Sequence, residues 1–563
     1  MFWRKSNKKG QVVGSEIAPD EIFLDSSNLP QFNVHQFEGR LERPISTRTF
    51  FLVGLFFFII VLLFVTKLWN LQITRAEEFA YLSDNNNLRH SLIVASRGVV
   101  YDRNGVPLIQ NEVSEEHSDF ATRKYSDLSG LSHLLGYVSY PSKDSSGFYY
   151  NQDFIGKDGI EKAYNDELSG KNGVKIVEVN ALGKVESANL ILLPEDGKSL
   201  TLSIDSRVQN KLYELISGLS AQIGFEGGAG ALMDIKNGEI LAITSFPEYS
   251  SQVLSDGSDR SAIASYLEGK GKPFLDRAIS GLYTPGSIVK PFLAIGALEE
   301  NVITPEKEIL STGSISIPNP YDPKKKTIFN DWRPQGYVDM RHAIAVSSDV
   351  YFYEIGGGFE SQKGLGIEKI EKYLRLFGFG EETTGSFFNG PAGIISSPVW
   401  KSENFPKDPW RIGDTYNSSI GQYGTQVTPL QSLRAVAAVA NGGTLLDPSI
   451  TLGGEVVSKV LGLAPENVKV AQEGMRLSVQ SGTASGLNVP QVKIAAKTGT
   501  AELGSKKQFV NSWVTGFFPY DHPRYAFTVV MEKGPHDNTI GALYVMRQLI
   551  EWMTENASSY LNE

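Results

Sequence analysis

Three short stretches of the chain carry residue types that can do acyl-transfer chemistry. In "YTPGSIVKPFLAIGAL" (283–298), Ser287 and Lys290 lie three residues apart, just behind the turn-forming pair Pro285 and Gly286. On a helix, positions i and i+3 share a face, so the amine can reach the hydroxyl and activate it as a nucleophile. The apolar run predicts a helix over 287–300, with Pro291 tolerated because few backbone N–H groups have partners in a first turn. Ser287 then stands at or near the helix N-terminus, whose free N–H donors suit a developing oxyanion. In "VKIAAKTGTAE" (492–502), Lys497, Thr498 and Gly499 fall in an apolar, strand-like run. Lys497 supplies a cation, and Gly499 has no side chain to hold off an approaching backbone. In "RHAIAVSSDVYFYEIG" (341–356), Ser347, Ser348 and Asp349 mark a break between two helical segments, sixty residues after Ser287.

No single stretch is decisive. A second Ser-x-x-Lys occurs at Ser6 to Lys9, a literal Ser-Asp-Asn at Ser83 to Asn85, and Ser-x-Asn at Ser26 to Asn28 and Ser402 to Asn404. The first three precede Ser287, in the N-terminal tail or just after an apolar segment. The last lies in "KSENFPKDPW", which reads as a Pro-containing loop. Lys-Thr-Gly after a strand is far rarer than Ser-x-x-Lys, and the three motifs in this order form the signature of serine acyl-transferring enzymes that react with penicillins.

The elements that must hold these residues are legible from pattern. The 563 residues exceed one ordinary domain, and 41% hydrophobic with 21% charged residues is the composition of a core-forming protein. A net charge of −10 argues against a nucleic-acid binder, which needs a surplus of Lys and Arg on one face. With no cysteine, disulfides, thiolate nucleophiles and Cys-bound metals are all excluded. "TFFLVGLFFFIIVLLFVT" (49–66) is an uncharged run between Arg48 and Lys67 that spans roughly 27 Å as a helix, nearly a bilayer. It predicts an uncleaved anchor over 49–70, with 48 residues ahead of it and no small-x-small cleavage site behind it. Arg40, Arg43 and Arg48 on the N-terminal side, against Lys67 and Arg75 on the other, favour an N-terminus inside. Residues 1–48 read as a polar cytoplasmic tail. Residues 71–198 carry strand-like runs ("HSLIVAS", "GVKIVEVN") broken by the turn signals "DRNG", "GKDG" and "GKNG". From residue 199 a strand leads into an amphipathic helix, and "GAGALMDIKNGEILAITSF" reads as a hairpin about Asn237 and Gly238. Helical runs at 364–377 and 428–441 and the strands "SWVTGFFP" and "YAFTVVMEK" follow, so the class is α+β with hairpins dominating the sheet.

At this point the sequence resembles the class B, monofunctional penicillin-binding proteins, and among them the elongation type. The resemblance rests on "SRGVVYDRNG" (96–105), "GKDGIEKAYNDELSG" (156–170), "DRAISGLYTPGSIVKP" (276–291), "FNDWRPQGYVDMRHAIAVSSDVYFYEIG" (329–356), "GDTYNSSIGQYGTQVTPLQSLRAVAAVANGG" (413–443) and "KIAAKTGTAE" (493–502). It implies a transpeptidase domain over 199–563, an antiparallel sheet flanked by helices, on a β-rich pedestal over 71–198. The implied substrate is the D-Ala-D-Ala end of a peptidoglycan stem peptide, with β-lactams as mimics of it. Ser287 would be the nucleophile, Lys290 the general base and Ser347 a proton relay. The backbone N–H groups of Ser287 and Thr500 would form the oxyanion hole, while Lys497 and Thr498 hold the substrate carboxylate. Lys290 would be kept neutral by burial and by the charge of Lys497. "SSD" departs from the commoner Ser-x-Asn: a carboxylate at Asp349 cannot donate a hydrogen bond to substrate, and it favours protonated Lys290. No metal or organic cofactor is implied. A RodA-type polytopic glycosyltransferase, bound through anchor and pedestal, would be the partner at the cytoplasmic membrane of a bacterium, with the catalytic domain on its outer face.

Two other readings share these motifs. A membrane-anchored serine β-lactamase would need a residue to activate a deacylating water, for which Glu403 is the available carboxylate. A non-catalytic β-lactam sensor or scaffold would need an intracellular effector or a lost motif; the 48-residue tail has no His-Glu-x-x-His, and none of the three motifs is lost.

Overall fold

The computed structural model describes residues 46–80, 88–113, 119–145, 149–179, 185–319, 321–322, 324–383, 385, 387–504 and 506–562. The tail, with Ser6 to Lys9 and Ser26 to Asn28, and the Ser83 to Asn85 triplet lie outside them. The apolar run forms helix α1, Thr47–Trp69, capped by Ser46, whose hydroxyl accepts the Thr49 N–H at 3.3 Å. It runs on through a π-helical turn, Asn70–Thr74, giving a stretch long and apolar enough to cross a bilayer.

In the second compact unit, a five-stranded antiparallel sheet is built from β1 (Gly227–Asp234), β2 (Ile240–Phe246), β3 (Ala495–Leu503), β4 (Phe509–Phe518) and β5 (Tyr525–Pro535), in the order β2-β1-β5-β4-β3. The β1–β2 hairpin turns at Gly238, whose φ of 79° suits glycine. Successive side chains of a strand point to opposite faces, and both faces here are buried. Leu232, Val529 and Met531 join Leu212 and Ile216 of α2 (Ser206–Ile223) and Leu549 of α8 (Ala542–Asn556). Ala231, Met233 and Val530 face the other way, into the larger core that also takes in α3 (Lys290–Glu299), α4 (Met340–Val346), α5 (Asp349–Gly357), α6 (Pro429–Ala440) and α7 (Pro465–Ser481). The site motifs all belong to this second layer, or to the edge strand β3 that borders it.

Ahead of α2, Val100–Tyr101 and Pro107–Glu112 form the hairpin expected of "SRGVVYDRNG". Asp102 Oδ1 accepts the N–H groups of Asn104 and Val106 at 2.8 and 2.9 Å, closing the turn. Its Oδ2 accepts the Ser206 hydroxyl at 2.7 Å, so the same carboxylate ties the hairpin to the start of α2. Below this hairpin lies a fully buried ionic cluster: Glu161 takes Arg97 at 2.5 Å on one oxygen and Arg123 at 2.8 Å on the other. A parallel pairing of Leu200–Thr201 with Val100–Tyr101 joins this small sheet to the segment leading into α2.

Two expectations change. The helix predicted over 287–300 is α-helical only from Lys290; Gly286–Val289 is a 3₁₀ turn, with Gly286 at φ 57° bending the chain into it. And "KSENFPKDPW" is not all loop: Pro398–Asn404 is a short helix whose N-cap Ser397 accepts the Trp400 N–H at 3.2 Å. Ser402 and Asn404 thus sit in its last turn, and Pro at the first helical position starts a helix as readily as it ends one.

Candidate active site

The 3₁₀ turn changes how Ser287 meets Lys290. At three residues per turn, positions i and i+3 fall on one line of the turn, but Lys290 Nζ is taken up by Ser347 and Asp349, and among the described residues no hydrogen bond joins it to Ser287 Oγ. Ser287 is half-buried and Lys290 fully so. The turn is pressed between two glycine-bearing segments. The Gly286 N–H donates to Gly421 O at 3.0 Å, and a Cβ on Gly421 would lie 2.2 Å from Gly286 O. On the other side, a Cβ on Gly499 would meet Pro285 O and Ile288 Cγ2, each at 2.8 Å. The backbone that Gly499 admits is therefore the turn carrying Ser287. β3 has a sheet partner on one side only, and its free edge, at Thr500, faces Gly286.

Ser347 ends α4 with φ 58°, a left-handed conformation that a serine adopts only when its surroundings impose it. This places its hydroxyl between the two lysines: Lys497 Nζ lies 2.9 Å from Ser347 Oγ and Lys290 Nζ 3.3 Å. Lys290 also donates to Ser347 O at 2.8 Å and to Asp349 Oδ1 at 2.6 Å. Asp349, expected at the substrate-binding position, is thus taken up as the counter-ion of Lys290. Lys497 is fully buried, with its remaining hydrogen bond to Thr498 O at 2.8 Å. Burial, reinforced by the neighbouring Lys290 charge, pushes the Lys497 ammonium well below the usual lysine range. Burial likewise pushes the Asp349 carboxyl up, against the pull of Lys290. Lys290 thus holds the carboxylate partner, while Lys497, bonded to a hydroxyl and a carbonyl, is the amine whose charged form burial disfavours.

Thr498 Oγ1 donates to Thr483 Oγ1 at 2.7 Å. Thr483 was not among the expected residues; it joins β3 to the end of α4, because its own N–H donates to Ala345 O at 3.0 Å. Asp331 was missed too, though it lies inside the quoted block 329–356. Its Oδ2 accepts the Ser348 hydroxyl at 2.8 Å and the Val350 N–H at 3.1 Å. Nothing in the local pattern distinguishes either from an ordinary turn residue.

Residues 228–550 match the penicillin binding protein transpeptidase domain, and residues 116–202 the penicillin-binding protein dimerisation domain. The peptidoglycan D,D-transpeptidase MrdA of Acinetobacter baumannii is 28% identical over 615 residues, covering 90% of this chain and 87% of that protein. Its namesake from Haemophilus influenzae is 31% identical over 441 residues, 72% of this chain and 65% of that one. Among solved structures, the complex between the penicillin-binding protein PBP2 and MreC from Helicobacter pylori superposes with a TM-score of 0.70 at 27% identity, over 84% of this chain and 99% of that one. With more than half of its length matched by the transpeptidase domain, and with all three motifs meeting around one buried hydroxyl, this chain belongs to the penicillin-binding protein transpeptidase family.

Proposed function

We propose that this chain is a peptidoglycan D,D-transpeptidase that cross-links stem peptides during cell-wall elongation through an acyl-enzyme on Ser287. The observation that carries the reading is the Ser347 hydroxyl held within 2.9 Å of Lys497 and 3.3 Å of Lys290, next to the Ser287 turn. Such an arrangement supports a proton shuttle. As the substrate carboxylate settles against Lys497 and Thr498, it favours a charged Lys497. Lys290 then passes its proton to Ser347 Oγ while the Ser347 hydroxyl passes its own to Lys497. Lys290, now neutral, takes the Ser287 proton as Oγ attacks the penultimate D-Ala carbonyl. The oxyanion is met by the N–H groups of Ser287 and Thr500, and Gly499 allows the turn and strand to come close enough to share it. Collapse of the tetrahedral adduct breaks the amide bond, and the terminal D-Ala leaves with a proton returned through Lys290 and Ser347. An amine of a neighbouring stem then attacks the ester, giving up its proton to Lys290 and restoring Ser287.

The division into a cytoplasmic tail (1–48), anchor (49–70), pedestal (71–198) and catalytic domain (199–563) fits this role. The membrane helix would hold the catalytic domain on the outer face of the cytoplasmic membrane, where the substrate is assembled. Glycan polymerisation would fall to a RodA-type glycosyltransferase engaged through anchor and pedestal, and an MreC-like scaffold is a second partner by analogy with the H. pylori complex.

The test is transfer itself. Full-length protein in detergent, given pentapeptide-bearing glycan and a labelled D-amino acid or stem amine, should release D-Ala and incorporate label in equal amounts. Release without incorporation at saturating acceptor would indicate a hydrolase, and neither product from folded protein would indicate a scaffold.

A further inference from the structure

Ser347 holds a left-handed backbone conformation, φ 58°, that disfavours a non-glycine residue, so something must impose it. We infer that the dipeptide Asp331–Trp332, which follows the hairpin strand Lys326–Asn330, is a positioning clamp that sets the Ser347 hydroxyl between the two lysines. This rests on the transpeptidase reading above and adds two residues to it.

The clamp grips the turn from both sides. On the C-terminal side, the buried Asp331 Oδ2 accepts the Ser348 hydroxyl at 2.8 Å and the Val350 N–H at 3.1 Å. A third donor, the Ser311 hydroxyl at 3.0 Å, ties the carboxylate back to the strand Ile309–Ser311. Its Oδ1 accepts the Trp332 N–H at 2.8 Å. Asp331 makes no ion pair among the described residues; the donors that hold it are three hydroxyl and backbone groups of the site and its support, plus its own neighbour. One is the hydroxyl of Ser348, the N-cap of α5, and one the Val350 N–H in its first turn, where unsatisfied N–H groups favour a carboxylate. On the N-terminal side, Trp332 Nε1 donates to Val346 O at 3.1 Å. Residues 346, 348 and 350 are therefore fixed by two consecutive residues of another element, and 347 and 349 between them have little freedom. Those two are the ones whose side chains meet Lys290 and Lys497. Ser348 cannot substitute for the clamp, since its hydroxyl already accepts the Tyr351 N–H as the N-cap of α5 and needs Asp331 to take its proton.

Neither residue touches the reacting atoms, so the clamp acts on the chemical step and not on substrate capture. A displacement of about 1 Å at Ser347 is enough to cost roughly 10²-fold in rate. The experiment is stopped-flow acylation of full-length protein in detergent by a chromogenic cephalosporin, separating the limiting acylation rate from the concentration at half saturation. Intact mass gives the active fraction, and rates are expressed per active molecule. Asp331→Asn keeps the shape but loses the charge and an acceptor; Trp332→Phe loses the indole N–H together with part of the ring that Arg333 covers, at a side chain that is 54% exposed, so the buried core is left untouched. The limiting rate should fall roughly 10- to 100-fold in the first and several-fold in the second, with half saturation unchanged. If Asp331→Asn does not fold, Trp332→Phe alone decides. Wild-type limiting rates in the folded variants, or a loss confined to the active fraction or to half saturation, would overturn the clamp. A wild-type protein that is never acylated would instead fail the transpeptidase reading, and the clamp with it.

Discussion

At the residue scale, the site contains two buried lysines and one carboxylate, Asp349, which is held by Lys290 alone. Asp349 lies on Lys290 at 2.6 Å, while burial and the Lys290 charge depress Lys497. An arginine in place of Lys497 would still carry the charge that a substrate carboxylate needs but could not act as a neutral acceptor. Lys497→Arg should therefore lower the acylation rate by about 10²- to 10⁴-fold, measured by penicillin acylation per folded molecule; a near-wild-type rate would remove Lys497 from the proton path. A second titration is independent of catalysis. Burial and the nearby Glu360 raise the Glu354 carboxyl from 4.5 to about 7. A folded-state pKa above the unfolded one means that the folded protein holds the proton more tightly. The contribution is therefore full below pH 4.5 and lost as pH rises through about 7. Thermal unfolding at pH 5 and pH 8 should show Glu354→Gln gaining on the wild type at the higher pH by about 1 kcal/mol, after allowance for solvent screening of a partly exposed group. Seven of the eight expected site residues fall within the three motifs, and the eighth, Thr500, came only from the family resemblance. What the sequence left open was their pairing: whether Lys290 leans on Ser287 or on Asp349 depends on how α3, α4 and α5 close on one another, and no spacing along the chain encodes it.

At the element scale, the decisive contact is between the Gly286–Val289 turn and the free edge of β3. Gly499→Ala would drive a methyl into Pro285 O and Ile288 Cγ2. The strand retains its pairing with β4, so the turn must yield, and the acylation rate should drop by about 10²-fold with little change in melting temperature. Unchanged acylation would mean that the turn and the strand act independently. Most of the elements could be read in advance, because the helix and strand periods are strong in this chain. The hairpin at Gly238, the break at Ser347 and the strands of the C-terminal meander all fall where alternation and turn chemistry put them. The two misreadings have separate causes. Proline was weighed as a helix breaker at Pro406 and Pro409 but not as a helix starter at Pro398, where Ser397 completes the start signal. The 3₁₀ onset at Gly286 reflects packing against Gly421 and Thr500, which no local preference for helix contains.

At the scale of the whole molecule, the region before α2 depends on charges buried far from the catalytic centre. Arg97 and Arg123 share Glu161 with none of the three side chains exposed. Glu161→Gln would leave two guanidinium groups without a counter-charge and should destabilise the protein by about 3–5 kcal/mol, seen as a lower midpoint in chemical denaturation; a shift under about 1 kcal/mol would show that solvent reaches the cluster. This arrangement was not foreseeable, since charged residues in sequence are ordinarily read as solvated surface. The blocks that contain them, 96–105 and 156–170, were recognisable all the same. The proposed transpeptidase requires that Ser287 take up an acyl group and keep it long enough to pass it on. The most direct measurement is intact-protein mass against time for the full-length chain mixed with a penicillin, beside Ser287→Ala. The account predicts a lasting adduct of one intact drug mass on the wild type and none on the variant. An adduct that turns over within seconds as drug is consumed, or an equal adduct on Ser287→Ala, would contradict it.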